Sequence, residues 1–306
     1  ILETPEAQAQ KRRFVSIAAG WVAGAYFPMA GAISRVAYNQ LRDQGIKVTA
    51  ESSGASVANA KVIGADDTDF AILQNDIANY AYNGAKPMFD EPIKNLLGVC
   101  TLFPEHVQCI ATAKSGIKSI TDLKGKRVAI GPVGGGTSEN VKQILEIWGV
   151  DINDIRTEQL KAEQASDYLK DGRIDAAFYT CAVGAATIVD AALIADLRVV
   201  PVTGPNVDKL IEKYPFYAKE IIAGGVYRGA DEDTPTVSVM AMLAARADLE
   251  EDLVYVILKA MYDNIEQLRT AHDKFKDISP EKGVVGMSVP LHPGAERYFK
   301  EEGIIK

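Results

Sequence analysis

Short apolar runs that read as buried strands alternate with segments of helical periodicity along most of this 306-residue chain, and nothing else in it restricts the fold as much. Phe14 to Ala18, Ile46 to Glu51 and Phe70 to Leu73 are the first strand candidates. Between the first two, Ile33, Val36, Ala37 and Leu41 recur on one helical face, and a second helix is expected through Asn59 and Val62. Leu96 to Leu102 and Val107 to Ala113 follow as two strands around Pro104-Glu105. A second alternating set begins with Arg127 to Ile130 and a helix striped by Val141, Ile144, Leu145 and Trp148. It adds strands over Ile155 to Leu160, Ala176 to Tyr179 and Leu197 to Val202, with Gly172 ending the helix before Ala176. Val237 to Ala244 reads as a late strand, and Leu253, Val256, Ile257, Ala260, Met261 and Leu268 as one long amphipathic helix. The pattern predicts an α/β fold, and 306 residues suffice for two cores.

Three strand-to-helix junctions carry Gly, Ser or Thr, around Gly20, Ser56 and Thr137. Open α/β sheets bind ligands at the carboxyl ends of their strands. Two junctions belong to the first set and one to the second, so two lobes would face these junctions across a cleft and form a clamp. The third junction, Gly131-Pro132-Val133-Gly134-Gly135-Gly136-Thr137-Ser138, nearly matches a phosphate-binding P-loop. Thr137 occupies the position of the phosphate-neutralising lysine. What remains is a glycine turn and a helix start, whose N–H groups and dipole suit a carboxylate.

For Ser56, Thr137 and Ser138 plain N-capping is the default use of the hydroxyl and does not exclude ligand binding, and three glycines before Thr137 exceed what a cap requires. Asp76 and Glu105 end strands on the cleft side and read either as turn chemistry or as ligand-facing groups. Trp21 suits a lid over the core; Tyr26 offers a hydroxyl. No nucleophile elbow, dinucleotide fingerprint or zinc pattern occurs. His106, His272 and His292 are widely separated and read as surface or capping residues, and the acidic pairs Glu250-Glu251 and Glu301-Glu302 as surface charge. No metal, cofactor or catalytic residue is expected.

The net charge of −8 argues against a nucleic-acid footprint. No apolar run approaches the roughly 20 residues that span a bilayer. The start, Ile1 to Gln10, is polar and reads as frayed, without a signal peptide; a cytoplasmic protein and one whose signal was removed both fit. Cys100 and Cys109 lie symmetrically about Pro104-Glu105, where a tight hairpin would bring them face to face; two buried thiols are favoured over a disulfide. Cys181 is the third cysteine, and no CxxC occurs.

Taken in order, these residues resemble the TAXI family, the solute receptors of one branch of TRAP transporters. The resemblance runs from Phe14 to Gly303 and rests on Gly20, Gly24 and Tyr26 followed by Pro28; on Ser52-Ser53-Gly54-Ala55-Ser56-Val57-Ala58-Asn59; on Gln74-Asn75-Asp76; and on Pro104-Glu105. Gly116 to Val128, Tyr214-Pro215-Phe216-Tyr217, Gly225-Val226-Tyr227 and Leu291-His292-Pro293-Gly294-Ala295 extend it. It implies a type II periplasmic-binding-protein fold of two α/β lobes joined by crossing strands: residues 1–111 with 230–306, and residues 112–229. It also implies a monomeric periplasmic or membrane-anchored receptor, its signal peptide removed, that delivers a small organic acid or amino acid to a TRAP permease. The binding roles it implies fall on Trp21, Tyr26, Gly54, Ser56, Asn59, Gln74, Asp76, Glu105, Gly136, Thr137, Ser138 and Thr180. Three departures cluster on the cleft. Gly135 replaces a usual serine, Thr180-Cys181-Ala182-Val183-Gly184 lacks a usual proline, and Trp21 is bulkier than the usual residue. The solute expected is a dicarboxylate such as 2-oxoglutarate or a glutamate-like amino acid, subject to those departures. The alternatives are a two-lobed enzyme, for which Cys181 is the available nucleophile with no histidine assigned near it, and a ligand-sensing domain.

Overall fold

The structure is a computed structural model and describes residues 13–306 except 23 and 87; the polar, frayed start expected over Ile1 to Gln10 lies outside the described residues. Three βα steps open the chain. β1 (Arg13–Ala18) leads to α1 (Tyr26–Leu41), β2 (Ile46–Glu51) to α2 (Ser56–Gly64), and β3 (Phe70–Gln74) to α3 (Asn75–Asn83). The long β4 (Leu96–Thr112) then opens a second set: β5 (Arg127–Ala129), α4 (Gly136–Trp148), β6 (Arg156–Glu158), α5 (Ala162–Lys170) and β7 (Ala176–Cys181). α6 (Ala186–Ile194), β8 (Leu197–Val200), α7 (Pro205–Lys213) and β9 (Ala218–Ile222) continue it. β10 (Thr234–Arg246) returns to the first set, where α8 (Glu251–Asp263), α9 (Ile265–Ala271) and α10 (Pro293–Glu301) follow.

All ten strands join one sheet in the order β2-β1-β3-β10-β4-β7-β5-β6, with β8 also on β4 and β9 also on β10. β1 is parallel to β2 and β3, and β5 is parallel to β6 and β7. β4 and β10 run antiparallel to each other and to the neighbours that carry each set. Parallel strands require helices on both faces, and β3, buried along its whole length, shows it. Val99, Leu102 and Phe103 of β4 pack with α1 and α8, whereas Val107, Cys109 and Ala111 pack with α4 and the second set. On β10 the exchange falls between Val239 and Ala241. Each long strand therefore packs into the hydrophobic clusters of both sets, and Glu105 sits where β4 passes from one set to the other.

Three expectations are corrected. Leu96 to Leu102 and Val107 to Ala113 are one continuous strand rather than two around a turn. Pro104, which lacks an N–H, sits beside a register shift opposite Met240 to Met242, where the missing donor costs least. Nine residues of strand separate Cys100 from Cys109 by roughly 30 Å, so they cannot meet, and both are buried free thiols. The long late helix is two helices parted at Asn264, whose side-chain amide donates to the Ala260 carbonyl at 2.9 Å and competes with the backbone ladder. Most other strand limits agree within two residues, and Gly172 does follow α5, in a left-handed conformation (φ 67°).

Candidate functional site

The carboxyl ends of β1, β2, β3, β5 and β7 meet at the crossing of β4 and enclose a cavity of about 90 Å³. It has room for roughly half a dozen waters, hence for a small solute. Four helices begin at its wall. Their N-cap residues, Ala25 for α1, Ala55 for α2, Gln74 for α3 and Gly135 for α4, all line the cavity, and none makes a side-chain capping hydrogen bond. Helix starts carry N–H donors without intrahelical partners and the positive ends of dipoles, so this wall favours negative charge without a cation. Some of these donors are already engaged: the Asp76 and Ile77 amides of α3 are taken by the Asn75 and Asp76 side chains, and the Val57 amide of α2 by Gly134. No Lys, Arg or His is among the lining residues. A larger groove of about 470 Å³, lined by Lys219, Glu220 and Thr236, is an open surface feature away from these strand ends.

The polar wall is only partly satisfied. Tyr26 donates to Glu105 Oε2 at 2.6 Å, the Gln74 backbone N–H donates to Ser56 Oγ at 3.1 Å, and the Thr180 backbone N–H donates to Thr137 Oγ1 at 3.2 Å. Gln74 Oε1 and Thr180 Oγ1 are buried with no partner. An unsatisfied buried polar atom costs about 1–3 kcal/mol, and a solute placed here could supply the missing partners. Burial pushes the Glu105 carboxyl up to about 8, against the lowering bonds from Tyr26 and Gln74. The same burial, with Glu105 nearby, holds the Tyr26 hydroxyl well above its usual range.

Local backbone shape sets the walls. Ala55 has φ 69° and ψ −155°, a region that normally admits only glycine, and this turns the chain so that α2 starts at the cavity. Gly136 opens α4 directly against Gln74 of β3, and a Cβ there would fall on the Gln74 carboxamide. The Val57 amide donates to the Gly134 carbonyl at 3.2 Å, so the start of α2 touches the glycine turn of the second set.

Of the twelve expected site residues, Trp21, Tyr26, Ser56, Gln74, Glu105, Gly136, Thr137 and Thr180 line the cavity. Gly54, Asn59, Asp76 and Ser138 stand outside its lining. Asn59 donates its amide to the Ala19 and Ile72 carbonyls and so ties the ends of β1 and β3. Gly54 lies against Ala58, and Ser138 is buried in the first turn of α4. Asp76 is fully buried and accepts from Asn140 of α4 at 2.7 Å; burial lifts its carboxyl to about 6.

Ala25 and Ala55 were not singled out for binding, because alanine carries no side-chain signal and its role here is backbone geometry. Cys181 also lines the cavity. His106 does stand opposite Cys181 in the β4–β7 register, contrary to expectation, because the continuous β4 carries it there. Its Nδ1 has no partner, and its Nε2 lies 3.7 Å from Glu220. The Cys181 thiol receives the Gln108 amide at 3.3 Å, and burial pushes it up to about 12, so it stays protonated. His272 and His292 cap the amides of Lys274 and Gly294, in keeping with the surface-or-capping reading, whereas His106 is buried rather than on the surface.

Known structures share this architecture. The alkanesulfonate-binding protein SsuA from Xanthomonas axonopodis pv. citri, bound to MOPS, matches 94% of this chain and 83% of its own at TM-score 0.53 and 14% identity. XAC2383 from Xanthomonas citri, bound to ATP, matches 94% of both chains at TM-score 0.57 and 10% identity. A putative L-cystine ABC transporter protein from Listeria monocytogenes matches 86% of this chain and 95% of its own at TM-score 0.52 and 16% identity. At such identities the likeness concerns the fold, a mixed α/β fold of the type II periplasmic-binding-protein class. With the family's sequence model matching residues 17–303, the chain belongs to the NMT1-like family.

Proposed function

We propose that this protein is an extracytoplasmic solute receptor that clamps a small carboxylate-bearing solute between two lobes and performs no chemistry on it. The observation that carries the reading is the convergence of four helix starts, none capped by a side chain of its N-cap residue, on a cavity lined by no cationic side chain. A carboxylate would sit on the starts of α2 and α4, held by dipoles and neutral donors. Neutral donors spare the empty cleft a buried, unpaired cation. Gln74 Oε1 is an unpaired acceptor on the same wall, which favours a solute that also carries an ammonium group over a dicarboxylate. The lobes proposed are residues 1–111 with 230–306, and residues 112–229. Trp21, Tyr26, Ser56, Gln74, Glu105, Gly136, Thr137 and Thr180 would touch the solute, while Gly54, Asn59, Asp76 and Ser138 would shape the lobes around it. The solute-binding proteins that share the fold support the receptor role, and the resemblance to TAXI receptors supports a monomer that hands its solute to a TRAP-type permease.

A thermal-shift and calorimetric panel of amino acids, dicarboxylates and other small acids tests the proposal. One solute is expected to bind tightly and be recovered unmodified, and Ser56→Ala combined with Thr137→Ala is expected to weaken it at least tenfold with the fold intact. Turnover of the bound solute would overturn the receptor reading, and unchanged affinity in the double variant would remove this cavity as the site.

A further inference from the structure

A cluster of polar groups that the cavity does not use lies where two helices from different sets face each other. Asp76 and Tyr80 are four residues apart on α3, and Asn140 and Gln143 three apart on α4, so each pair occupies one helix face. The Asn140 amide donates to Asp76 Oδ2 at 2.7 Å and to the Tyr217 hydroxyl at 2.9 Å. Tyr217 donates to Gln143 Oε1 at 2.6 Å, and the Gln143 amide donates to the Tyr80 hydroxyl at 3.0 Å. The Tyr80 ring meets Phe216 edge-on, with centroids 5.6 Å apart. Asp76 and Asn140 are wholly buried. α3 and α4 both begin at the cavity, so whatever joins their bodies also holds those starts together.

We propose that Asp76, Tyr80, Asn140, Gln143 and Tyr217 form a latch that holds the two lobes closed, acting as positioning residues for the cavity rather than touching the solute. The inference rests on the two-lobed reading above. In the closed state the bonds joining Asp76, Asn140, Tyr217 and Gln143 are buried and the one from Gln143 to Tyr80 is partly so, whereas opening would hydrate both faces. Loss of one partner leaves a buried acceptor unpaired when closed and hydrated when open, so truncation favours the open form.

Small-angle scattering of the solute-free protein tests this. Asn140→Ala with Gln143→Ala is expected to shift the closed-to-open ratio toward open by roughly tenfold or more and to raise the radius of gyration. Circular dichroism should stay unchanged, whereas a purely structural role would lower the melting temperature without expanding the molecule. Tyr80→Phe keeps the ring against Phe216 and removes only the hydroxyl; a smaller expansion in the same direction is expected, and it guards against misfolding of the double variant. Gly136→Ala, which drives a Cβ into Gln74 across the cleft, separates the two ways of failing. If Gly136→Ala expands the molecule and neither latch variant does, the latch is overturned and the clamp stands. If none of the three expands it, the clamp and the latch fall together.

Discussion

Glu105 carries the one ionisable carboxyl among the residues lining the cavity, with Tyr26 and Gln74 beside it. Raised from an ordinary 4.5 to about 8, it keeps its proton in the folded protein at neutral pH. The unfolded chain loses that proton as pH rises past 4.5, so the folded state binds more protons between about 4.5 and 8. Stability is therefore expected to fall across that window, by as much as a few kcal/mol. Glu105→Gln keeps an acceptor for Tyr26 and is expected to flatten the decline, read as melting temperature against pH. An equally steep decline in the variant would show that another group carries it. Asp76, lifted from 3.8 to about 6, adds to the lower part of the same window. Glu105 reads from the sequence as a strand-end carboxylate, whereas it lies mid-strand in β4, and its partner Tyr26 is 79 positions away, a contact that spacing alone cannot supply.

At the scale of elements, local pattern and tertiary environment compete at Gly136. Helix propensity favours alanine over glycine by about 1 kcal/mol, so Gly136→Ala judged on α4 alone would stabilise the protein. The Gln74 carboxamide occupies the place of the added methyl, and that clash decides the sign. The variant is expected to keep its secondary structure and lose solute binding, as calorimetry against the solute identified for the parent protein would show; parent-like affinity would refute the close approach. The stripe on α4 was legible because Val141, Ile144 and Leu145 repeat at helical spacing and are buried. β4 was misread as two strands, since Pro104-Glu105 has turn-like composition while the partners β10 and β7 that hold the strand straight are distant in sequence. The late helix was read as one because its apolar stripe continues past Asn264, whose side chain breaks the ladder.

Across the whole molecule, the first and second sets meet at the cleft through few direct bonds, one of them from the Val57 amide to the Gly134 carbonyl. If solute closes the lobes, exchange of the Val57 amide is expected to slow by an order of magnitude or more on binding, measured by hydrogen exchange at residue resolution. Exchange unaltered by a bound solute would mean that the two sets do not move against each other. The α/β alternation, the glycine- and hydroxyl-bearing strand ends and the missing P-loop lysine are legible in the chain, because they follow from periodicity and residue chemistry within short windows. Distant packing alone set β4 and β10 among the clusters of both sets, turned Asp76 to Asn140 rather than to the cavity, and brought four helix starts to one wall. Those facts depend on which distant elements pack together, and packing is settled by the joint burial of both sets rather than by any one segment.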